Sequence, residues 1–168
     1  RGYSVHGVDV VQSTVDTINR GEIHIVEPEL DTFVQSAVKS GKLKASLKPD
    51  VADVFIIAVP TPFHEGYVPN VDYVVSATKA IAPYMQEGNI VILESTSPVG
   101  TTELVEDTLK ESGVDTSKLH IAHCPERVLP GHIMRELVEN DRIVGGITPE
   151  ATQKTVEFYE TFVSGAVL

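Results

Sequence analysis

A carboxylate beside a guanidinium, Glu126-Arg127, sits in the run Ala122-His123-Cys124-Pro125-Glu126-Arg127-Val128-Leu129-Pro130-Gly131. An apolar stretch, Leu119-His120-Ile121-Ala122, leads into it, and prolines and a glycine brace it. A carboxylate at such a strand end can hold a water or act as a general base. A guanidinium suits the oxygens of a carboxylate or phosphate. The alternative is a mutual surface ion pair of small energetic weight. Cys124 lies close by, but no Cys–His arrangement activates it, so it reads as a buried thiol. His120 and His123 fall on opposite faces of a strand, and no further ligand set accompanies them, so no metal site is expected.

Two further apolar runs end in the same manner. Val54-Phe55-Ile56-Ile57-Ala58-Val59 enters Pro60-Thr61-Pro62, where Thr61 offers a hydroxyl; an ordinary proline-rich turn is the alternative. Ile90-Val91-Ile92-Leu93-Glu94 enters Ser95-Thr96-Ser97-Pro98-Val99-Gly100-Thr101, which sets three hydroxyls before a helix. Helix starts favour anions and polar cofactor groups, although serine and threonine there also serve as simple caps. Near the beginning, Val5-His6-Gly7-Val8-Asp9 ends in a carboxylate that a helix follows. In dinucleotide-binding sheets an acidic residue at a strand end takes the adenosine ribose hydroxyls and repels a 2′-phosphate, which favours NAD over NADP. Asp9 serves equally well as a helix cap.

The elements needed to position these residues follow from periodicity and punctuation. Val11, Val15 and Ile18 form one stripe of a helix over residues 11–20, stopped by Gly21. Pro28 suits the first turn of a helix reaching Ser40. A weak strand over 44–48 comes next, then the strand over 54–59. A helix over 71–86, the strand over 90–94, a helix over 99–112 and the strand over 119–122 succeed one another. Residues 132–139 form a short helix and 142–146 a strand. Thr148-Pro149-Glu150 opens the last helix with an N-cap, a proline and an acidic first turn. Strands alternating with helices imply an α/β, doubly wound, Rossmann-like fold with a mainly parallel sheet. Ligands bind such sheets at the carboxyl ends of the strands.

A chain of 168 residues can build one domain with a real core, and 42% hydrophobic with 22% charged residues excludes disorder. The net charge of -11 and the lack of a basic stripe argue against nucleic-acid and membrane partners. One cysteine rules out an internal disulfide and fits a reducing cytoplasm. No apolar run approaches the roughly 20 residues that span a bilayer. The chain lacks an initiating Met, and both termini read as strand, so the sequence predicts a fold truncated at both ends within a longer protein.

Gly7-Val8-Asp9, Asn19-Arg20-Gly21-Glu22, Glu27-Pro28-Glu29-Leu30-Asp31, Val59-Pro60-Thr61-Pro62, the 95–101 and 123–131 runs and Arg142-Ile143-Val144-Gly145-Gly146 occur in one order over nearly the whole chain. With these motifs the chain resembles the UDP-glucose/GDP-mannose dehydrogenase family, in particular its branch that makes mannosaminuronic acid sugar nucleotides. The resemblance implies an incomplete NAD-binding domain over 1–168 and a cytoplasmic enzyme of surface-polysaccharide precursor synthesis. It implies a four-electron oxidation of UDP-N-acetyl-D-mannosamine at C6 with two NAD+, the N-acetylglucosamine nucleotide or another UDP-sugar being the alternative. It puts Asp9 on the adenosine ribose, Val59 and Thr61 around the adenine, and Thr96 near the nicotinamide and a catalytic water. Glu126 matches the glutamate that works on that water, and Arg127 a position near the sugar nucleotide. A homodimer or higher homo-oligomer is implied for the full-length protein.

The family's glycine-rich first turn, its central helix with a catalytic lysine and asparagine, and its thioester-forming cysteine have no counterpart here; Cys124 does not align with that cysteine. The resemblance therefore implies that residues 1–168 alone are inactive. Pro130 stands where the glucose-oxidising branch has a second glutamate, which disfavours glucose. Another NAD-dependent dehydrogenase, such as a hydroxyacid enzyme, and a non-catalytic nucleotide-binding module stay open as readings. The parent reading frame discriminates: a downstream lysine without the cysteine favours the former, the absence of both the latter.

Overall fold

The computed structural model describes residues 2–168 other than 24 and 26. In chain order the elements are β1 (Val5–Val8), α1 (Gln12–Asn19), α2 (Leu30–Lys39), β2 (Leu43–Ser46), β3 (Val54–Ile57), α3 (Asp72–Ile81), β4 (Ile90–Leu93), α4 (Thr101–Glu111), β5 (His120–His123), α5 (Ile133–Glu139), β6 (Gly145–Gly146) and α6 (Pro149–Glu160). This is the strand–helix order that periodicity predicts. The elements gather into two compact units. One is the chain up to Asp50 with Val128–Glu139; the other is Val51–Arg127 with Asn140–Leu168.

In the first unit β1 and β2 pair in parallel, Val5 opposite Leu43 and Val8 opposite Ser46. Val15 of α1 is buried. Asn19 ties that helix to β2: its Nδ2 donates to the Ala45 carbonyl at 2.9 Å and its Oδ1 accepts the Ala45 N–H at 2.8 Å. The second helix starts later than Pro28. Glu29 adopts the left-handed region (φ 66°), which an α-helix cannot contain, so α2 begins at Leu30 and Pro28 lies in the preceding turn.

The second unit is a four-stranded sheet in the order β3-β4-β5-β6. The three apolar strands are parallel and adjacent: Ile57 pairs with Leu93, and Leu93 with His123. Their side chains alternate between two cores. Val91, Leu93 and Ile121 pack with Val74, Val105 and Leu109 from α3 and α4. Ile92, Ala122 and Cys124 pack with Tyr159 and Val163. Both faces are therefore covered, as near-continuous apolar strands require.

Two further elements change character relative to the periodicity. The helix predicted over 71–86 leaves α geometry at Ile81 and becomes a 3₁₀ turn, Ala82–Tyr84, because Pro83 cannot supply an N–H to the ladder. The strand predicted over 142–146 is split. Arg142 and Val144 bond the C-terminal segment, through N–H donation to Ala166 and Leu168 at 2.8 and 2.7 Å. Gly145–Gly146 pair with β5, antiparallel, and the Ile147 N–H donates to the Ile121 carbonyl of β5 at 2.9 Å. The opening of α6 is as predicted: Thr148 caps it, its hydroxyl accepting the Ala151 N–H at 3.1 Å, with Pro149 at the first position. No helix among the described residues is long and apolar enough to cross a membrane.

Gly146 runs against the first turn of α6, and its N–H donates to Thr152 Oγ1 at 2.9 Å. A Cβ there would strike the backbone nitrogen of Thr152 and lie 2.7 Å from the Thr148 carbonyl, whereas one on Gly145 would meet nothing within 4 Å. Gly146→Ala should lower stability by about 1–3 kcal/mol, as overpacking does, and Gly145→Ala should stay near the parent. Denaturant midpoints of the two variants check this; equal midpoints would contradict the packing described.

Candidate functional site

The site is the carboxyl-terminal rim of the parallel strands in the second unit. Because β3, β4 and β5 run the same way, the loops that follow them emerge at one edge. Thr96 lies three residues beyond Leu93 and Glu126 three beyond its register partner His123. Pairing continues past the strands, with the Glu126 N–H donating to the Glu94 carbonyl at 3.2 Å. The structure thus brings Thr61, Thr96 and Glu126 to the same end of the sheet.

Most of the rim's hydroxyls are spent on its own scaffold. Ser95, buried, accepts the Val59 N–H at 2.8 Å and donates to the Val59 carbonyl at 2.7 Å. Thr61 donates to the Thr96 carbonyl at 2.6 Å. Ser97 donates to the Ser95 carbonyl at 2.6 Å, and Thr101 to that of Pro98 at 2.7 Å. Val59 and Thr61 are thereby locked to the β4 loop, and Thr61 contributes shape rather than a spare donor. Thr96 is different. It is exposed, and among the described residues nothing bonds its hydroxyl.

Glu126 is half-buried and held at both oxygens. Oε1 accepts the backbone N–H of Arg127 at 2.7 Å. Oε2 is buried and lies 2.8 Å from Nη2 of Arg142, an off-axis ion contact. The adjacency Glu126-Arg127 suggests a mutual side-chain pair, but the guanidinium of Arg127 turns away. It donates to the Asp141 carbonyl at 2.9 Å, and the Arg127 carbonyl accepts from Asn140 at 3.3 Å. Arg127 itself is exposed.

Sequence reasoning missed the charged cluster behind this carboxylate. The Arg142 side chain is 4% exposed, and its guanidinium lies 4.8 Å from the centre of the Tyr159 ring, a cation–π distance. Nη1 is 4.0 Å from Glu94, whose Oε1 accepts the Tyr159 hydroxyl at 2.5 Å. Burial works against the charge on Arg142, but contact with Glu126 outweighs it and holds the guanidinium above its ordinary value. Burial pushes the Glu94 carboxyl up, and the Tyr159 hydrogen bond and Arg142 only partly oppose it. Burial and then the Glu94 charge push the Tyr159 phenol far up. Burial also raises the Cys124 thiol, which is fully enclosed and so no poised nucleophile. The available signal was an arginine opening an otherwise apolar run, Arg142-Ile143-Val144.

In the first unit, Asp9 follows the carboxyl end of β1 and is half-buried. Its Oδ1 accepts the Val11 N–H at 2.8 Å. This is a local turn and not the helix cap, since α1 is capped at Val11 without a side chain. Glu27, also missed as a clamp, is 5% exposed and accepts the N–H groups of Gly131 and Ile133 at 2.8 Å each.

Residues 1–163 match the NAD-binding domain of the UDP-glucose/GDP-mannose dehydrogenase family, and the chain belongs to that family. It is 53% identical over 175 residues to the UDP-N-acetyl-D-mannosamine dehydrogenase of Campylobacter jejuni, covering 98% of this chain and 43% of that one. It is 52% identical over 174 residues to the NDP-N-acetyl-D-galactosaminuronic acid dehydrogenase of Ralstonia nicotianae, covering 98% and 41%. The solved UDP-N-acetyl-mannosamine dehydrogenase of Staphylococcus aureus superposes with a TM-score of 0.93 at 40% identity, covering 99% of this chain and 42% of that one. The chain thus spans about two fifths of the length of these relatives.

The raised Glu94 carboxyl has a stability consequence with a definite sign. The folded state holds this proton more tightly than the unfolded chain does. The associated stability is complete below the ordinary carboxylate range, about pH 4, and is lost as pH rises through the raised value. Glu94→Gln keeps an acceptor for Tyr159 and removes the titration. Its denaturation midpoint relative to the parent should therefore climb as pH rises above the ordinary carboxylate range. A difference that stays flat or falls as pH rises would show that burial does not raise the Glu94 carboxyl.

Proposed function

We propose that this chain is the NAD-binding part of an NAD-dependent dehydrogenase that oxidises C6 of UDP-N-acetyl-D-mannosamine to the carboxylate. The observation that carries the reading is the pairing of one unspent hydroxyl, Thr96, with one fixed carboxylate, Glu126, at equivalent positions beyond adjacent parallel strands. The identity to the Campylobacter jejuni relative supports the substrate. A second substrate, the corresponding N-acetylgalactosamine nucleotide, is favoured by the identity to the Ralstonia nicotianae relative.

Each group of residues, taken within its own unit, suits one part of a dinucleotide. Asp9 ends a parallel strand with its carboxylate oriented by the Val11 N–H, as needed to accept ribose hydroxyls. Val59 and Thr61, held by Ser95 and the Thr96 carbonyl, form a rigid wall for a flat base. Bound NAD+ supplies the acceptor for a hydride from C6 in each of two rounds. Arg127 has spent one of its five N–H donors on Asp141, and the rest serve the anionic sugar nucleotide.

The balance of the reaction defines what Glu126 does. The alcohol and one water yield the carboxylate, two hydrides and three protons. A thiol, assigned in this reading to the protein outside residues 1–168, carries the aldehyde-level carbon as a thiohemiacetal and then a thioester. Water adds to the thioester carbonyl, the C–S bond breaks, the thiolate leaves, and the water's proton passes to Glu126. Thr96 holds that water from the other side. General-base help of this kind is worth ~10²–10⁴-fold.

The test is turnover of the full-length protein with NAD+ and each of the three UDP-N-acetylhexosamines. Two NADH per uronate, with the highest kcat/KM for the manno epimer, is expected; one NADH per product, or none, would overturn the reading. Asp9→Ala should weaken NAD use and narrow its preference over NADP, and an unchanged cofactor ratio removes Asp9 from the ribose. Glu126→Gln should bind NAD normally yet turn over ~10²–10⁴-fold more slowly, with a covalent intermediate accumulating. Near-parental turnover in the folded variant would leave Glu126 a purely structural partner of Arg142.

A further inference from the structure

We propose that Arg142 is a positioning residue for the water-handling carboxylate: its buried guanidinium fixes Oε2 of Glu126 and so sets the direction in which that carboxylate meets its water. The inference rests on the function proposed above for Glu126.

Arg142 is held from several sides. Its N–H donates to the Ala166 carbonyl at 2.8 Å, and its carbonyl accepts the Leu168 N–H at 2.9 Å. Its guanidinium lies over the Tyr159 ring, and that ring is anchored in turn by the hydroxyl bond to Glu94. The Tyr159 ring beneath it packs with the apolar core of Ile92, Ala122, Val144 and Val163. A stability-driven core would place an apolar side chain here, because a buried ion pair adds little over well-packed apolar groups of the same volume. A guanidinium at this place is explained by what it holds. With Oε1 on the Arg127 N–H at 2.7 Å and Oε2 2.8 Å from Nη2, the plane of the Glu126 carboxylate is set. The side chain is still 25% exposed, so water reaches it. A catalytic group gains from exactness of this kind, since a displacement of about 1 Å can cost ~10²-fold in rate.

Lysine cannot reproduce this arrangement. It delivers one compact charge where arginine presents a planar fork that touches Glu126 while lying over an aromatic ring. Among the charged or titratable groups of the described residues that face Arg142 are Glu94 from the end of β4, Cys124 and Glu126 from beyond β5, and Tyr159 from α6.

The experiment uses the full-length protein with NAD+ and UDP-N-acetyl-D-mannosamine, comparing Arg142→Lys, Glu126→Gln and the double variant. Both hydrides leave before water attacks, so a defect confined to the water step gives a burst of two NADH per site followed by slow turnover. For Arg142→Lys the expected result is a full burst, a sugar KM and NAD affinity within about two-fold of the parent, and kcat lowered ~10–100-fold. The double variant should be no slower than Glu126→Gln alone, because both changes disable one function. The burst counts competent sites, so a partly folded variant still reports its rate per site. Turnover of Arg142→Lys within two-fold of the parent per burst site, a loss carried in KM, or losses that multiply in the double variant would each overturn the positioning role. Where Glu126→Gln is slow and Arg142→Lys is not, only that role falls. Where Glu126→Gln itself turns over normally, the role proposed for Glu126 falls and the positioning role of Arg142 with it, while the dehydrogenase reading stands on its NADH stoichiometry.

Discussion

Parallel pairing of β4 between β3 and β5 is the constraint on which the rest of the second unit depends. A strand covered on both faces must be apolar on both, and β4 obeys: Val91, Ile92 and Leu93 are all essentially inaccessible. Such a strand has no side-chain position left for chemistry along its length. Polar residues can appear only where the strand ends, and parallel direction collects those ends at one edge. Thr61, Thr96 and Glu126 share a rim for that reason, although the chain between them is long.

The rim then divides its polar groups between holding itself and doing chemistry. Ser95 takes both main-chain groups of Val59, and Thr61 takes the Thr96 carbonyl, so the β3 and β4 loops are one bonded body. Their cost in conformational freedom is met by bonds that also satisfy main-chain groups in a partly buried setting. What remains is the Thr96 hydroxyl, exposed beside loops that are bonded to one another. The Ser-Thr-Ser run is therefore not three interchangeable hydroxyls: the outer two build the platform, and the middle one stands on it.

How much of this the sequence displays depends on how local each interaction is. The Thr148-Pro149-Glu150 helix start and the three apolar strands are written in neighbouring residues, and the structure contains each of them; of the stripe expected on α1 only Val15 is buried, while Val11 precedes the helix and is exposed. The parallel order follows from alternation of strands and helices. The partners of Glu126 are not local. Adjacency suggests Arg127, yet the guanidinium that meets Glu126 comes from Arg142, and Tyr159 and Glu94 complete the surroundings from two other elements. Hydropathy marks a strand over 142–146 but cannot tell a strand from a segment pinned by Ala166 and Leu168. Membership of the UDP-glucose/GDP-mannose dehydrogenase family was legible because motifs in order carry more information than any one motif.

The charged cluster also shows how the two cores of the sheet differ. The core against α3 and α4 is closed by Phe55, Leu93, Leu109 and Ile121, and its buried polar group Thr78 bonds its own helix at Val74. The core against α6 admits Arg142, Tyr159 and the inner ends of two carboxylates. Removing one partner of the Arg142–Glu126 pair would leave the other charge uncompensated, at a cost of ~3–5 kcal/mol, while replacing the whole set by apolar residues would cost little or nothing. Stability alone thus favours the all-apolar solution, which the α3–α4 side largely adopts. The α6 side departs from it directly beneath Glu126, where a carboxylate at the sheet edge has to be held both charged-partnered from below and open to water from above.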